Sequence, residues 1–393
     1  MSLISLILTL AIISGQLIKI PLLSNSGGVT VLDLTVILLC LIGLLKLRFK
    51  LQTPPLFLKS AFAFIFIAVL SLILTPLHLQ FPEYLTSFFY ILRFSSYILL
   101  GWIIYSGAFP YLKKDLLKIL IFSGFVLAIL GLIQLIFLPD LRFLQNQGWD
   151  PHYFRTVSTF LDPNFLGGYF VLTLLTLMSL RGESLRSTWQ SYLFFVPVYI
   201  ALLTTFSRGA YLAFFSSFLI LSFLNKSGKL AILTIILTAG LLFGYYNYQK
   251  SIAEPRGVDR TQSAVFRLNT WQQGAALFQQ RPILGVGYNS YKYALKEYNL
   301  ASEDFLKSHG ASTNDSSLLF VASTTGIIGL TLYLFFLTSL LKTAWEKYLQ
   351  KNIWGAIIIS AIIGITIQSF FANTLFYPFI LILLILISTK LPK

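Results

Sequence analysis

Apolar runs separated by short polar spacers occupy almost the whole chain. An apolar helix needs about 20 residues to cross about 30 Å of hydrocarbon, and fewer when its flanking side chains extend to the interface. By this measure the pattern predicts an all-α polytopic bundle of about twelve transmembrane helices. They are Leu3–Ile20, Val29–Leu47, Leu58–Thr75, Tyr84–Ala108, Leu116–Leu138, Pro163–Leu180, Ser191–Phe206, Ala210–Leu224, Leu230–Tyr248, Ser317–Leu341, Ile353–Phe371 and Thr374–Ser388.

The composition supports a membrane protein and excludes a soluble one. Apolar residues make up 56% of the 393 residues and charged residues 11%, whereas soluble domains carry about a quarter charged residues. The formal net charge of +15 comes from residues scattered over short spacers, and a nucleic-acid partner would require a clustered basic surface. The lipid bilayer is therefore the expected surrounding, and no nucleic-acid partner is expected.

Lys and Arg are distributed unequally over the two alternating sets of loops, which predicts the orientation. One set holds sixteen basic residues and the opposite short loops hold four. We therefore expect both termini in the cytoplasm. The chain divides into residues 1–248 with nine helices, an extracytoplasmic loop 249–316, and residues 317–393 with three helices. The sixteen are Lys46, Arg48, Lys50, Lys59, Lys113, Lys114, Lys118, Arg181, Arg186, Lys226, Lys229, Lys342, Lys347, Lys351, Lys390 and Lys393; the four are Lys19, Arg142, Arg155 and Arg208.

A polar motif precedes the sixth helix on the outer side. It runs from Arg155 to Asp162-Pro163-Asn164. Asp or Asn as a cap, with Pro in the first turn, is typical of a helix start. That structural reading alone would explain the motif.

The turn between the seventh and eighth helices carries Arg208. Each of these helices has only about 15 apolar residues, so the turn should lie below the membrane surface. An arginine there costs about 2.5–3.5 kcal/mol unless it faces a wet cavity or an anion. One interpretation is an arginine that extends to lipid headgroups. The other is an anion site, since the planar guanidinium binds two phosphate oxygens at once.

Arg93 lies near the middle of the fourth helix. A charge within the membrane is a candidate functional residue. A structural pair with Asp33 of the second helix, or with a carbonyl, is an equally good explanation, and the sequence leaves the functional and structural readings open.

The extracytoplasmic loop ends in a polar segment just before the tenth helix. It contains His309, Asn314 and Asp315. A histidine and a carboxylate above a helix start are candidates for proton transfer. Asn314, Asp315 and Ser316 are also suited to capping that helix.

Five short motifs follow one another between Phe160 and Gly329. They are Phe160–Asn164, Ser207–Ala210, Arg267 with Trp271, Pro282–Gly287 and Thr325–Gly329. Each motif is weak alone, and their order and spacing together are fairly specific. Their order resembles the O-antigen ligase and O-antigen polymerase superfamily. The resemblance extends from about Arg155 to Leu330, and the arrangement of twelve helices with one large late outer loop agrees with it.

The resemblance implies a membrane glycosyltransferase of the bacterial plasma (inner) membrane. Its donor would be an undecaprenyl diphosphate-linked glycan, and its acceptor a glycan or glycolipid, with no metal ion and no cofactor. The outer loop 249–316 would be catalytic. Arg208 and Arg267 would hold the diphosphate and stabilise its developing charge. Arg155, Asn164 and Asn314 would contribute to substrate binding.

The sequence departs from the family pattern at the expected base. The family's histidine spacing lands near Asp315, and the nearest histidine, His309, is six residues upstream. Chemistry favours His309 as the base, because imidazole titrates near neutral pH. Position favours Asp315.

Two other classes of function compete with the transferase. A secondary transporter or flippase for a lipid-linked glycan would show internal repeats and charges near the midplane. No repeat is visible, and the polar residues gather on one side of the membrane. A non-catalytic assembly factor is the second alternative, because the histidine motif is altered.

Overall fold

The computed structural model describes residues 1–21, 28–179, 187–256 and 262–391. The end of the sixth predicted helix at Leu180 lies outside these residues. So do Arg181, Arg186 and Lys393, which contribute to the predicted orientation, and part of the predicted outer loop.

Each of the twelve predicted apolar runs overlaps one α-helix, with bounds that differ by a few residues in most cases. These helices are α1 (Leu3–Ser14), α2 (Val31–Lys46), α3 (Leu56–Ile73), α4 (Phe81–Tyr105), α5 (Pro110–Phe137), α6 (Pro163–Ser179), α7 (Ser187–Thr204), α8 (Arg208–Leu224), α9 (Gly228–Tyr248), α13 (Ser317–Leu349), α14 (Ile353–Gln368) and α15 (Pro378–Ser388). Three further helices lie between α9 and α13, namely α10 (Gln262–Gln280), α11 (Tyr291–Glu297) and α12 (Glu303–Lys307). The all-α class is confirmed, apart from a small hairpin of β1 (Lys19–Pro21) and β2 (Gly28–Thr30).

Five helical segments of the described chain are long and apolar enough to cross a membrane. They are Leu56–Ile73, Phe81–Tyr105, Pro110–Phe137, Gly228–Ala253 and His309–Leu349. Six more apolar helices have 10–17 residues. The chain is therefore a multi-pass membrane protein, and the number of twelve crossings stays a prediction.

The first helix is shorter than predicted. It ends at Ser14, six residues before Ile20. Gly15 has a φ of 57°, and a Cβ there would lie 2.3 Å from the Thr159 carbonyl oxygen. The next backbone N–H, that of Gln16, donates to the same oxygen at 2.8 Å. This close contact diverts the chain into β1, which pairs with β2 in antiparallel register.

The tenth predicted helix, α13, is interrupted at Gly326. This glycine has a φ of 65° and a ψ of −167°, outside the helical region. The preceding segment Pro282–Gly287 binds at the interruption. The Val286 and Gly287 N–H groups donate to the carbonyls of Ser323 and Thr324 at 3.0 and 3.1 Å, and the Ile327 N–H donates to the Pro282 carbonyl at 2.8 Å. Two of the family-like motifs are thus one structural unit.

Arg93 forms the structural pair that the sequence left open. Its Nη2 lies 2.8 Å from Asp33 Oδ2, and it also donates to the Gly28 carbonyl. The Tyr97 hydroxyl donates to Asp33 Oδ1 at 3.1 Å. The pair links α4 to the start of α2.

Candidate functional site

The predicted helix start at Asp162 is confirmed. Asp162 Oδ1 accepts the backbone N–H groups of Asn164 at 2.6 Å and Phe165 at 3.2 Å. The Asn164 side-chain oxygen accepts a hydrogen bond of 2.8 Å from the Ser207 hydroxyl, and the Asn164 carbonyl accepts one of 2.7 Å from Gln368 Nε2. The start of α6 is thereby joined to the turn that carries Arg208.

Arg155 binds the backbone of the same turn. Its side chain is buried, and its Nε donates to the Thr205 carbonyl at 2.8 Å while Nη2 donates to the Phe206 carbonyl at 3.4 Å. These carbonyls lie just ahead of Ser207, the N-cap of α8. Hydrogen bonds from a charged donor are strong, so Arg155 fixes the backbone at the entry to α8.

Arg208 and Arg267 lie along one groove. Arg208 is the first residue of α8 and is exposed, and Arg267 lies on α10 and is half-buried. The groove has a volume of about 350 Å³ and is otherwise largely apolar, with walls formed by Gly209, Leu212, Leu268, Trp271 and Phe371. A groove with two guanidinium groups and apolar walls suits a ligand that has an anionic head and a hydrocarbon tail.

A cluster of three carboxylates, those of Asp150, Asp162 and Asp315, lies close to Arg155 and Arg267. Asp150 interacts electrostatically with Asp162, Asp315, Arg155 and Arg267. The residue as a whole is exposed. Protein atoms around its carboxylate remove part of the surrounding water, and this desolvation raises the pKa of Asp150 to about 6. The negative charges of Asp162 and Asp315 act in the same direction, and the two arginines oppose them. Burial also raises the pKa of Asp162.

Asp150 is a candidate that the sequence did not reveal. It lies in the loop between α5 and α6, in the short stretch Trp149-Asp150-Pro151. An Asp before a Pro in a loop is an ordinary turn signal. Nothing local in the sequence distinguishes Asp150, because its setting is produced by groups from α6, α10 and the start of α13.

Asn314 and Asp315 connect α10 to the start of α13. Asn314 is buried; its amide donates to the Tyr291 hydroxyl at 2.9 Å and to the Thr270 carbonyl, and its oxygen accepts the Ser316 N–H at 2.8 Å. Asp315 Oδ2 accepts from the Thr270 hydroxyl at 3.2 Å. Ser316 is the N-cap of α13. Asn314 therefore has a clear structural task, and the half-exposed Asp315 faces Arg267.

His309 lies in a different environment from Asp315. Its ring contacts Trp149, with centroids 4.9 Å apart, and its Nε2 lies 3.0 Å from the Gln147 carbonyl. A carbonyl only accepts, so Nε2 carries the proton. The His309 backbone N–H donates to the Gly148 carbonyl at 3.0 Å. His309 therefore holds residues 147–149, directly before Asp150.

The structure thus brings most of the predicted site residues together. Arg155, Asn164 and Arg208 meet at the turn between α7 and α8, and Arg267 links the groove to Asp315. Gln368, which binds Asn164, was not foreseen. Its position at the end of a long apolar helix gives no sequence signal.

Comparison with known proteins finds similarity to O-antigen ligases. A family model described as O-antigen ligase matches residues 193–334. This range includes Arg208, Arg267, the Pro282–Gly287 segment and Gly326. The chain is also 28% identical over 328 residues to an O-antigen ligase of Salmonella typhimurium strain LT2, an alignment that covers 76% of this chain and 74% of that protein. These two similarities agree with the resemblance to the O-antigen ligase family that the sequence motifs indicated.

Proposed function

We propose that the protein transfers a glycan from an undecaprenyl diphosphate donor to a hydroxyl of an acceptor glycan or glycolipid, at the outer leaflet of the bacterial plasma membrane. The bond between the anomeric carbon and the diphosphate oxygen breaks, and a bond to the acceptor oxygen forms. The acceptor proton passes to a base of the protein, and the lipid diphosphate leaves as an anion. The acceptor is a lipid A core in a ligase or another chain in a polymerase.

The groove with two arginines is the observation that carries this proposal. Arg208 and Arg267 both line the groove, so a diphosphate bound there would contact two cations. The apolar side chains of Leu212, Leu268 and Phe371 would contact the polyprenyl tail. Negative charge grows on the diphosphate as the glycosidic bond breaks. Two fixed guanidinium groups stabilise that charge more in the transition state than in the ground state.

Arg155, Asn164 and Asn314 act on the site through other residues in this proposal. Arg155 binds the backbone carbonyls before Ser207, and Asn164 binds the Ser207 hydroxyl. Asn314 binds α10 near Thr270. We assign all three to positioning the arginines, because their side-chain hydrogen bonds are directed to protein groups.

A carboxylate of the three-Asp cluster is the base that the geometry favours. The Nε2–H of His309 donates to the Gln147 carbonyl, so only its Nδ1 could accept a proton. Asp162 caps α6, and Asp315 accepts from Thr270 and faces Arg267. Asp150 is accessible to solvent and has a pKa of about 6. A base is most effective when its pKa lies near the working pH. We therefore assign proton transfer to Asp150, with Asp315 as the alternative and His309 as a positioning residue for the Asp150 loop.

The dependence of transfer rate on pH tests this assignment. Asp150 accepts a proton only when ionised, so the rate of the wild-type protein should fall as the pH drops below about 6. Asp150→Asn should lose transfer at every pH, whereas His309→Gln should keep the same pH midpoint with a lower rate. If Asp150→Asn keeps full activity and Asp315→Asn loses it, Asp315 is the base. If His309→Gln removes the midpoint, the imidazole is the base.

The structure gives less support to a flippase. In the predicted transmembrane helices that the structure describes, the charged residue nearest the middle of a helix is Arg93, and it is paired with Asp33. The arginine groove and the carboxylate cluster both lie at the ends of helices, near the predicted outer side. This placement favours chemistry at one leaflet over passage across the bilayer.

A further inference from the structure

A second cavity lies beside the carboxylate cluster, separate from the arginine groove. It has a volume of about 190 Å³, and none of its lining residues belongs to the groove. Its wall contains aromatic rings, including Tyr90 and Trp149, together with polar side chains such as Asn289 and Thr313. Aromatic faces combined with a few polar groups suit a sugar ring, which has apolar C–H faces and a rim of hydroxyl groups.

The charge of this cavity is positive. Lys19 and Arg93 both line it, and no Asp or Glu is among the described lining residues. Asp33 lies behind Arg93 and is engaged in its ion pair. Within the part of the chain that the structure describes, Lys19 has no carboxylate partner within ion-pair distance; its ammonium lies 5.8 Å from the Trp149 ring centre. The two cations are close enough to repel each other, so an anion bound between them would relieve the repulsion.

The cavity is adjacent to the proposed base along the chain. Trp149, in its wall, directly precedes Asp150, and Phe165, also in its wall, is three residues from Asp162. His309 lines the cavity as well and holds Gln147 and Gly148. A sugar bound in this cavity would therefore contact Trp149, the chain neighbour of the proposed base, without occupying the polyprenyl groove.

We propose that this cavity is the acceptor subsite and that it selects a sugar bearing an anionic group, either a carboxylate or a phosphate. Lys19 binds that group, and Arg93, held by Asp33, adds a second positive charge. The aromatic wall contacts the ring. This inference rests on the proposed glycan transfer and names the chemistry of the acceptor.

Direct binding to the purified full-length protein in detergent tests the subsite without any transfer reaction. The probes are glucuronate, glucose 6-phosphate, glucose and inorganic phosphate, followed by ligand-observed NMR titration. At least one of the two anionic sugars should bind about tenfold more tightly than glucose, the effect expected of one charge-assisted hydrogen bond. Preference between glucuronate and glucose 6-phosphate identifies the anionic group as carboxylate or phosphate.

Substitutions at three positions test whether the anionic sugar binds in this cavity. Lys19→Gln should reduce the affinity for the anionic sugar to that of glucose, and Lys19→Arg should restore most of it. Lys307→Gln is the control, because Lys307 is an exposed lysine on the predicted outer side whose ion pair with Asp304 lies on the surface. Arg208→Ala should bind the sugar like the wild-type protein, because Arg208 lies in the other groove. Thermal unfolding of each variant verifies that it is folded.

Three results would overturn the subsite. They are equal affinity for glucose and both anionic sugars, no effect of Lys19→Gln in a folded protein, and inorganic phosphate bound as tightly as the preferred anionic sugar. Failure of the proposed transfer is recognised separately. In that case the wild-type protein would release no lipid diphosphate from a donor, whether or not it binds the anionic sugar.

Discussion

The Ser207 hydroxyl donates a hydrogen bond of 2.8 Å to the side-chain oxygen of Asn164. This bond joins the residue that caps α8 to the first turn of α6. Arg208 follows Ser207 directly, and Asp162, which caps α6, lies two residues before Asn164. One contact therefore sets the position of the groove arginine relative to the carboxylate cluster.

Asn164→Ala should reduce glycan transfer by about 10²-fold, because a small displacement of Arg208 misplaces the diphosphate. The free energy of unfolding should fall by only about 1 kcal/mol, the usual net value of one hydrogen bond. Initial rates and thermal unfolding in detergent measure both effects. Asn247→Ala is the control, since the exposed Asn247 amide binds a carbonyl of its own helix. Normal transfer in a folded Asn164→Ala protein would refute the positioning role.

Arg208→Ala and Arg267→Ala should each lower the rate of transfer by about 10²–10³-fold, the usual cost of removing one preorganised charge contact. Arg208→Lys should also be poor, because a point charge does not replace bidentate binding. Single-turnover rates with saturating donor measure the effect. Arg142→Ala serves for comparison, since Arg142 forms an exposed pair with Asp140. Near-normal rates for Arg208→Ala would reduce this arginine to an interfacial anchor.

Gly326→Ala should destabilise the junction between α13 and the Pro282–Gly287 segment. A Cβ at Gly326 would lie 2.1 Å from the Ile283 carbonyl oxygen, and the backbone φ of 65° disfavours other residues. Backbone strain of this kind costs about 1–3 kcal/mol. Gly228→Ala, at a helix start with nothing within 4 Å, should unfold like the wild-type protein. Equal melting temperatures for both variants would contradict the tight packing at Gly326.

A cysteine introduced at Ser263 should react with an impermeant thiol reagent in intact cells, and one at Ser227 should not. The native Cys40 is buried, so its background labelling should be low, and a Cys40→Ala parent removes it. Labelling at Ser227 alone would reverse the predicted orientation and move the arginine groove away from the outer leaflet.

The helices follow from the sequence because long apolar runs must satisfy their backbone hydrogen bonds internally. The ends of the helices follow less well. α1 ends early because Gly15 meets Thr159, a residue far away in the chain. The pattern also continues α13 through Gly326, since an apolar run around a glycine has the same appearance with or without a break in the helix.

The site was only partly predictable for a related reason. The motifs around Asn164, Arg208 and Arg267 have local signatures, and the structure brings them together. The raised pKa of Asp150 arises from burial and from the charges of Asp162 and Asp315, and Asp315 lies in a distant part of the chain. The sequence likewise places His309 near Asp315 but does not show that its ring binds Gln147.

The most direct test of the proposed transfer uses purified protein in liposomes with an undecaprenyl diphosphate-linked glycan and an acceptor glycolipid. Released undecaprenyl diphosphate and extended acceptor are measured together. The account predicts that both products form in equal amounts, and that Arg208→Ala and Asp150→Asn abolish both. Donor that crosses the bilayer with its glycosidic bond intact, or activity retained by both variants, would contradict it.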